Sequence, residues 1–267
     1  MADHYYAPGK HRAAKVDQLF TAVAKHYDLI NDIQSFGLHR SWKQRVIQVA
    51  SVQPGDHTLD ICSGTGDLAI GLAQRGAETV GLDFNSEMLR IARNKLENLR
   101  PPLATPALRF IQGDALRLPF AENSFEIVTI GYGLRNLASW EAGLEEMKRV
   151  AKPGGRLLVL EFGKPDNPLW RGFYFSYLRF FLPVLGRLVC GDAAAYAYIL
   201  ESLKHYPGQK GVAAKMVEMR LEQVRIINLL GGAMSINFGI KTLNEQQIPR
   251  PKERVAVVPS SSQTAAE

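Results

Sequence analysis

Leu59-Asp60-Ile61-Cys62-Ser63-Gly64-Thr65-Gly66-Asp67-Leu68-Ala69 reads as a strand that turns through glycines into a helix. Gly64 and Gly66 let the backbone turn tightly and approach a ligand, and the helix that follows offers unpaired N–H groups at its positive dipole end. Two cofactor classes use such a turn. Gly64-x-Gly66-x-x-Ala69 formally satisfies the dinucleotide fingerprint, and Asp83 lies 19 residues after Gly64, near where a ribose-binding acid is expected. Asp60 and Asp67 weigh the other way, because a pyrophosphate between two carboxylates loses much of the dipole's benefit while a cation gains. S-adenosylmethionine carries an ammonium and a sulfonium and no phosphate, so paired acids suit it. Asp67 is also explained as an acid that simply complements the dipole in the first helical turn.

Outward from this turn, strand-like and helix-like runs alternate, the pattern of a parallel sheet with helices on both faces. Strands are predicted at 57–62, 78–83, 108–112, 125–131, 155–162, 223–229 and 234–240, and helices at 67–75, 86–99 and 138–151. Gly231-Gly232 separates the last two strands closely enough for a hairpin, which makes the final strand antiparallel. The expected fold is α/β: a Rossmann-like, doubly wound, seven-stranded sheet, mostly parallel with an antiparallel last strand. Ahead of it, Val16, Phe20, Val23, Tyr27 and Asn31 fall within about 80° of one another at ~100° per residue. They predict one amphipathic helix with Asn31 on its apolar stripe and Asp32 on the opposite face. The division this implies is an N-terminal helical cap at 1–45, a domain at 46–241 carrying an insertion at 163–210, and a disordered tail at 242–267 rich in Pro, Ser, Gln and charge.

Composition narrows the setting. Hydrophobic content of 46% and charged content of 22% are those of an ordinary globular chain, and no uncharged stretch reaches the length of a membrane-spanning helix. The first fifteen residues lack the apolar core of a secretion signal, so the cytoplasm is the expected compartment. Cys62 and Cys190 are too few for a disulfide framework or a zinc site; Cys62 fills a place in the turn that needs a small side chain, and Cys190 is expected to be buried. The net charge of +6 is carried by the flanks: residues 46–162 hold 12 Lys and Arg against 14 Asp and Glu, whereas 1–45 contribute +3, 163–190 +3 and 191–241 +2. Basic flanks suit either nucleic acid or an anionic membrane surface. No RNA-binding module accompanies them, so no nucleic-acid partner is expected.

In an open parallel sheet, ligands bind beyond the carboxyl ends of the strands. The first strand ends in Asp60 and the glycine turn, the second at Asp83, and the third at Gln112-Gly113-Asp114-Ala115. Asp83 can accept both ribose hydroxyls and Asp114 the adenine amino group. A lone acid at such a place is usually a helix cap, but three at successive strand ends are hard to attribute to capping. With Lys152-Pro153-Gly154-Gly155 before the fifth strand, this ordered set resembles class I S-adenosylmethionine-dependent methyltransferases. Cys62 stands where the usual loop has its first glycine. A narrower resemblance, covering roughly 16–241, is to the ubiquinone/menaquinone biosynthesis C-methyltransferase family. It rests on Tyr27-Asp28-Leu29-Ile30-Asn31-Asp32 continuing through Ser35, His39 and Trp42, on Gly133-Leu134-Arg135-Asn136, on Arg149 to Gly155 running to Glu161, and on Tyr196 to Ser202 with Pro207. Ile30, Gln34, Gly163 and Asn237 depart from the family pattern, Gly163 standing where Ser is found and Asn237 where His is usual.

The resemblance implies S-adenosylmethionine held by Asp60, Gly64, Thr65, Gly66, Asp83, Asp114, Ala115 and Gly131, with no metal. It also implies methyl transfer to a ring carbon of a reduced, polyprenylated quinol, with demethylmenaquinol favoured over a ubiquinone precursor. Arg135 is the expected stabiliser of a developing phenolate, since a guanidinium stays cationic and offers several donors. Asn136, Tyr27 and Asn31 complete a hydrogen-bonded pocket, Tyr27 and Asn31 being four residues apart on one helix face. His39 is a candidate base that a purely local hydrogen bond also explains, and Glu161 is its alternative. Seven aromatics between Trp170 and Phe181, mixed with Arg171, Arg179 and Arg187, suit a helix at a membrane interface or a tunnel for the prenyl chain. A buried lid or a homodimer contact explains them equally. A soluble acceptor for the same cofactor loop is the competing reading.

Overall fold

The computed structural model describes residues 12–103, 107–184, 187, 194–243 and 256–258. Cys190, the start of the chain and most of the tail lie outside the described residues.

The seven expected strands form, as β1 (His57–Ile61), β2 (Glu78–Asp83), β3 (Leu108–Gln112), β4 (Phe125–Gly131), β5 (Ala151–Phe162), β6 (Leu221–Leu229) and β7 (Met234–Lys241). An eighth, β8 (Ala256–Val258), arises inside the stretch read as a disordered tail and pairs in parallel with β6, Arg225 opposite Ala256. The sheet order is β3-β2-β1-β4-β5-β7-β6-β8. β7 runs antiparallel to both neighbours, as the Gly231-Gly232 hairpin requires. β5 begins earlier than expected because Lys152 to Gly155 is a bulge inside the strand: Phe125 pairs with Ala151 but Ile127 with Arg156.

Helices cover both faces, so the central strands are apolar on both sides. Leu157 and Val159 of β5 point into one core and Leu158 and Leu160 into another, with the same alternation at Val128 and Ile127 of β4. Helices α4 (Asp67–Ala73), α5 (Ser86–Glu97) and α6 (Trp140–Val150) cover the sheet, and the last two start at side-chain caps: Asn85 Oδ1 accepts from Met88 N at 2.9 Å, and Ser139 Oγ from Ala142 N at 3.1 Å.

The single helix expected over 16–31 is broken. α1 (Arg12–Val23) passes through a 3-10 turn at Ala24–His26 into α2 (Tyr27–Ser35), and α3 (Leu38–Ala50) folds back after Phe36 and Gly37, both left-handed at φ 52° and 75°. The apolar stripe survives the break, because Phe20, Val23, Tyr27 and Asn31 all line one interior chamber. Long-range polar contacts hold this cap to the sheet domain. Asn85 Nδ2 donates to Asp17 Oδ1 at 2.8 Å and Thr21 Oγ1 at 2.7 Å, and Lys95 pairs with Asp28 at 2.6 Å.

The insertion is helical: α7 (Pro168–Ser176) runs into a π-helical stretch Tyr177–Phe181, followed by α8 (Ala194–His205); α9 (Gly208–Glu218) then leads into β6. Gly163, which precedes it, has no space for the family's serine, since a Cβ there would collide with the Gly232 carbonyl oxygen. Gly163→Ser is expected to lower stability by about 1–3 kcal/mol, as overpacking does. A thermal melt showing no loss would refute that reading. Among the described residues, no helix is long and apolar enough to cross a membrane.

Candidate active site

Two chambers meet at the carboxyl ends of β1, β4 and β5, and Phe20, Tyr27 and Tyr132 form the wall they share. One is bounded by the turn and strand-end residues Gly64, Asp83, Asp114, Ala115 and Gly131, with Leu82, Phe84, Met88 and Leu116 as apolar surface. Among the described residues its lining includes Asp17, Asp83 and Asp114 and no lysine or arginine. A pyrophosphate would meet three carboxylates there, which repel it, whereas a cationic nucleoside gains from them. Asp83 accepts from Gly64 N and Asn85 N, each at 2.8 Å, which orients its carboxylate while leaving lone pairs for two ribose hydroxyls. Asp114 accepts from Leu116 N at 2.9 Å and stays solvated at the rim.

The acids on which the local reading based its preference for a cation do not face this chamber. Asp67 is held by Lys43 at 2.6 Å and Lys95 at 2.8 Å; burial alone would raise its pKa, but the two lysines bring it down to about 2. Asp60 is fully buried under Thr129, whose hydroxyl donates to it at 2.7 Å, and burial pushes it up to about 7. It anchors the turn to β4. Thr65 likewise donates to Asp28 at 2.7 Å and accepts from Lys95, so it fastens the cap. Gly66, at φ 87°, has no space for a Cβ, which would sit 2.7 Å from the Phe110 ring. Cys62 takes the left-handed conformation (φ 54°) of the glycine it replaces, and burial pushes its thiol well above the ordinary value.

The second chamber is aromatic and apolar, walled by Phe20, Tyr27, Trp42, Tyr132, Phe162, Trp170, Tyr174 and Tyr177, and running on to Leu178, Leu182 and Ile199. Among the described residues, eleven buried side-chain N and O atoms lack a hydrogen-bond partner, and six belong to residues lining this chamber: Asn31 Nδ2, Gln34 Oε1, His39 Nδ1, Tyr132 OH, Arg135 Nε and Tyr174 OH. Buried polar groups are normally satisfied, so this concentration marks where a polar ligand belongs.

Arg135 lies in a 3-10 turn, Leu134–Asn136, with its guanidinium 4.7 Å from the centre of the Phe162 ring. Its Nη1 donates to Glu161 Oε1 at 2.5 Å and to the Tyr132 carbonyl at 2.8 Å. Burial opposes the charge, but Glu161 more than compensates and raises the guanidinium pKa. Glu161 is thereby occupied; its Oε1 also accepts from Phe162 N at 2.9 Å. Burial raises the Tyr27 phenol to about 12, so it keeps its proton and can donate. Asn31 Oδ1 accepts from Gln34 Nε2 at 2.6 Å. His39 is buried, with Nε2 2.8 Å from Asp32 Oδ1. Asn136 belongs to the other chamber, with Nδ2 donating to the Tyr132 carbonyl and Oδ1 accepting from Tyr198. Asn237 lines neither chamber and donates to the Gln209 carbonyl at 2.8 Å.

Sequence reasoning missed Tyr132 and Asp17, noted Gln34 only as a departure from the family and Tyr174 only among the insertion's aromatics, and left Asp32 on the helix's polar face. Tyr132 had a visible signal: a tyrosine between Gly131 and Gly133 after a central strand. The structure gives it a left-handed backbone (φ 60°), an outlier for a bulky side chain and a mark of a functional constraint.

Strand order, glycine turn and acid-lined chamber together define a class I S-adenosylmethionine-dependent methyltransferase. The model of the ubiE/COQ5 methyltransferase family matches residues 9–241. A ubiquinone/menaquinone biosynthesis C-methyltransferase UbiE from Ectopseudomonas mendocina is 43% identical over 88% of this chain and 91% of its own. One from Azotobacter vinelandii is 40% identical over 88% and 92%. In fold, a putative S-adenosyl-L-methionine-dependent methyltransferase from Methanococcus maripaludis superposes at a TM-score of 0.57 and 18% identity, covering 84% of this chain and 94% of that one. The chain belongs to the ubiE/COQ5 methyltransferase family, and its methyl donor is S-adenosyl-L-methionine.

Proposed function

We propose that this protein methylates a ring carbon of a polyprenylated quinol, with demethylmenaquinol as the preferred acceptor, in menaquinone or ubiquinone biosynthesis. The observation that carries this reading is the set of six unpartnered polar groups in an otherwise aromatic chamber. Asn31 Nδ2 and Arg135 Nε are donors, Gln34 Oε1 and His39 Nδ1 can accept, and the tyrosines do either. A flat apolar ring bearing two hydroxyls meets both requirements, and a fused naphthalene ring uses more of the aromatic wall. An oxidised quinone is too electron-poor to attack a sulfonium, so the reduced quinol is the acceptor.

The bound donor supplies an electrophilic sulfonium methyl group. The chain's own residues do the rest. Tyr27 and Tyr132 line both chambers where they meet, so the sulfonium methyl and the ring carbon are brought together beside them. Arg135, kept cationic by Glu161 and shielded from water, opposes the charge that develops on the phenol oxygen. Incubation with labelled donor and each short-chain quinol under reducing conditions tests the reading. Label in the ring of a quinol supports it; transfer only to a soluble, non-quinol acceptor refutes it.

The prenyl tail is supplied from the inner face of the cytoplasmic membrane. Leu29, Phe36 and Leu38 from the α2–α3 turn, and Leu169, Phe173, Phe180 and Phe181 from the insertion, are exposed apolar side chains. Phe36, Leu38 and Phe173 also line the acceptor chamber, which supports a mouth on this face, and Arg171 and Arg179 are exposed on the same insertion. Leu169 and Phe180, 84% and 67% exposed, lie outside the chamber. Leu169→Ser with Phe180→Ser is expected to reduce co-sedimentation with anionic vesicles by at least about tenfold, each lost contact being worth roughly 1.5–3 kcal/mol. Unchanged sedimentation, or a dimer in solution that the same pair dissociates, would replace the membrane with a second copy.

A further inference from the structure

Methylation of a phenol's ring carbon needs a group that takes the hydroxyl proton, and among the described residues the chamber offers few. Arg135 remains charged, and Tyr27, Tyr132 and Tyr174 hold their own protons because burial raises each phenol pKa. Glu161 is committed to Arg135 and Phe162 N. His39 lines the chamber and keeps Nδ1 buried without a partner.

Its other nitrogen is fixed. Nε2 lies 2.8 Å from Asp32 Oδ1, while Arg40 holds the same carboxylate with Nε at 2.8 Å and Nη2 at 2.6 Å. Those hydrogen bonds, from Arg40 first and His39 second, keep Asp32 well below the usual carboxylate range. An ionised carboxylate requires a proton on Nε2, which leaves the Nδ1 lone pair for the chamber. The charged groups around His39 are Asp32 from α2, Arg40 and Lys43 from α3, and Asp67 at the start of the helix after the glycine turn. Burial lowers the imidazole pKa, and the Asp32 hydrogen bond recovers only part of that, so the ring is neutral at physiological pH. His39 also borders a second, open groove with Asp28, Arg40, Lys43, Asp67 and Lys95, and Asp32 is itself partly exposed. The imidazole therefore stands between the acceptor and solvent.

We propose that His39 Nδ1 is the proton acceptor of the reaction and that Asp32 is its positioning residue, an Asp–His pair assembled by the fold-back of α3 onto α2. The inference rests on the quinol reading above. As the phenolic proton moves to Nδ1, the ring carbon bonds to the methyl carbon and the electron pair of the broken C–S bond stays on sulfur. The dienone so formed loses its ring hydrogen to water as a proton, and His39 returns a proton to the phenolate oxygen. One proton is released per turnover and the imidazole ends neutral.

The test uses the full chain, labelled donor and a short-chain quinol from pH 5.5 to 9. The unaltered protein should show kcat rising with pH along a one-proton limb to a plateau, because only neutral His39 accepts. His39→Gln should lower kcat by about 100-fold or more with donor affinity unchanged and the limb gone. Asp32→Asn should lower kcat by about tenfold or more and move the limb, with Asp32→Glu recovering much of it. Nitrogen NMR of the unaltered protein gives a readout independent of any variant's folding: the Nε2–H tautomer is expected, and the Nδ1–H tautomer overturns the assignment. Quinol methylation by the unaltered protein with His39→Gln within threefold of it overturns the histidine role alone; no methylation of any quinol by the unaltered protein overturns the functional reading and this one with it.

Discussion

Arg135→Ala is expected to abolish turnover and also to lower the unfolding free energy by about 3–5 kcal/mol, because it strands Glu161 as a buried carboxylate. Glu161 is 1% exposed and takes its main cationic partner from Arg135. The sequence reading casts Arg135 as the stabiliser of a developing phenolate and Glu161 as an alternative base. The structure makes them a buried pair, and urea denaturation beside a single-turnover assay separates the two effects. The double variant Arg135→Met, Glu161→Leu should recover most of the stability, since apolar replacement of both partners removes the desolvation penalty, and recover none of the activity. Stability unchanged in Arg135→Ala would mean that the pair does not hold in solution. Activity in the double variant would remove Arg135 from the reaction.

Asp83→Ala is expected to weaken donor binding by about 100-fold, equivalent to about 2.7 kcal/mol, with kcat at saturating donor little changed. The carboxylate does two things at once. It orders the glycine turn through Gly64 N and the next helix cap through Asn85 N, and it faces the chamber proposed for the donor's ribose. Removing it leaves two inward N–H groups without their acceptor and loses the hydroxyl contacts. Calorimetric titration with S-adenosylmethionine measures the loss, and an unchanged dissociation constant would show that the ribose is held elsewhere. Asp60→Asn makes the contrasting control: it lines neither chamber, so its effect should fall on stability rather than on donor affinity.

Much of this site is legible along the chain because its determinants are local. A left-handed turn needs glycine, and a strand buried on both faces needs an apolar run, so the turn at 59–69 and seven strands can be read directly. Strand-end acids follow once the strands are placed. Two acids were read for the wrong reason. Asp67 looks like part of an anion-repelling turn, but its neutralising partners Lys43 and Lys95 lie 24 and 28 residues away, and no local pattern announces them.

Asp32 shows the same limit more sharply. On an isolated helix it occupies the polar face, opposite Asn31. The left-handed Phe36 and Gly37 turn α3 back across that face and set His39 against it, so a solvated acid becomes the partner of a buried imidazole. Tyr132, Gln34 and Tyr174 enter the site in the same way, by convergence of the β4 loop, the cap and the insertion on one volume. The sequence by itself determined the sheet, the glycine turn and the acids at the strand ends, because backbone geometry and strand-end position are properties of short stretches. Only the tertiary structure decided which carboxylates face a chamber and which are paired with lysines, which histidine nitrogen lacks a partner, and which apolar side chains stay exposed. Each of those depends on charge pairing and burial between segments far apart in the chain, and neither exists until the chain is folded.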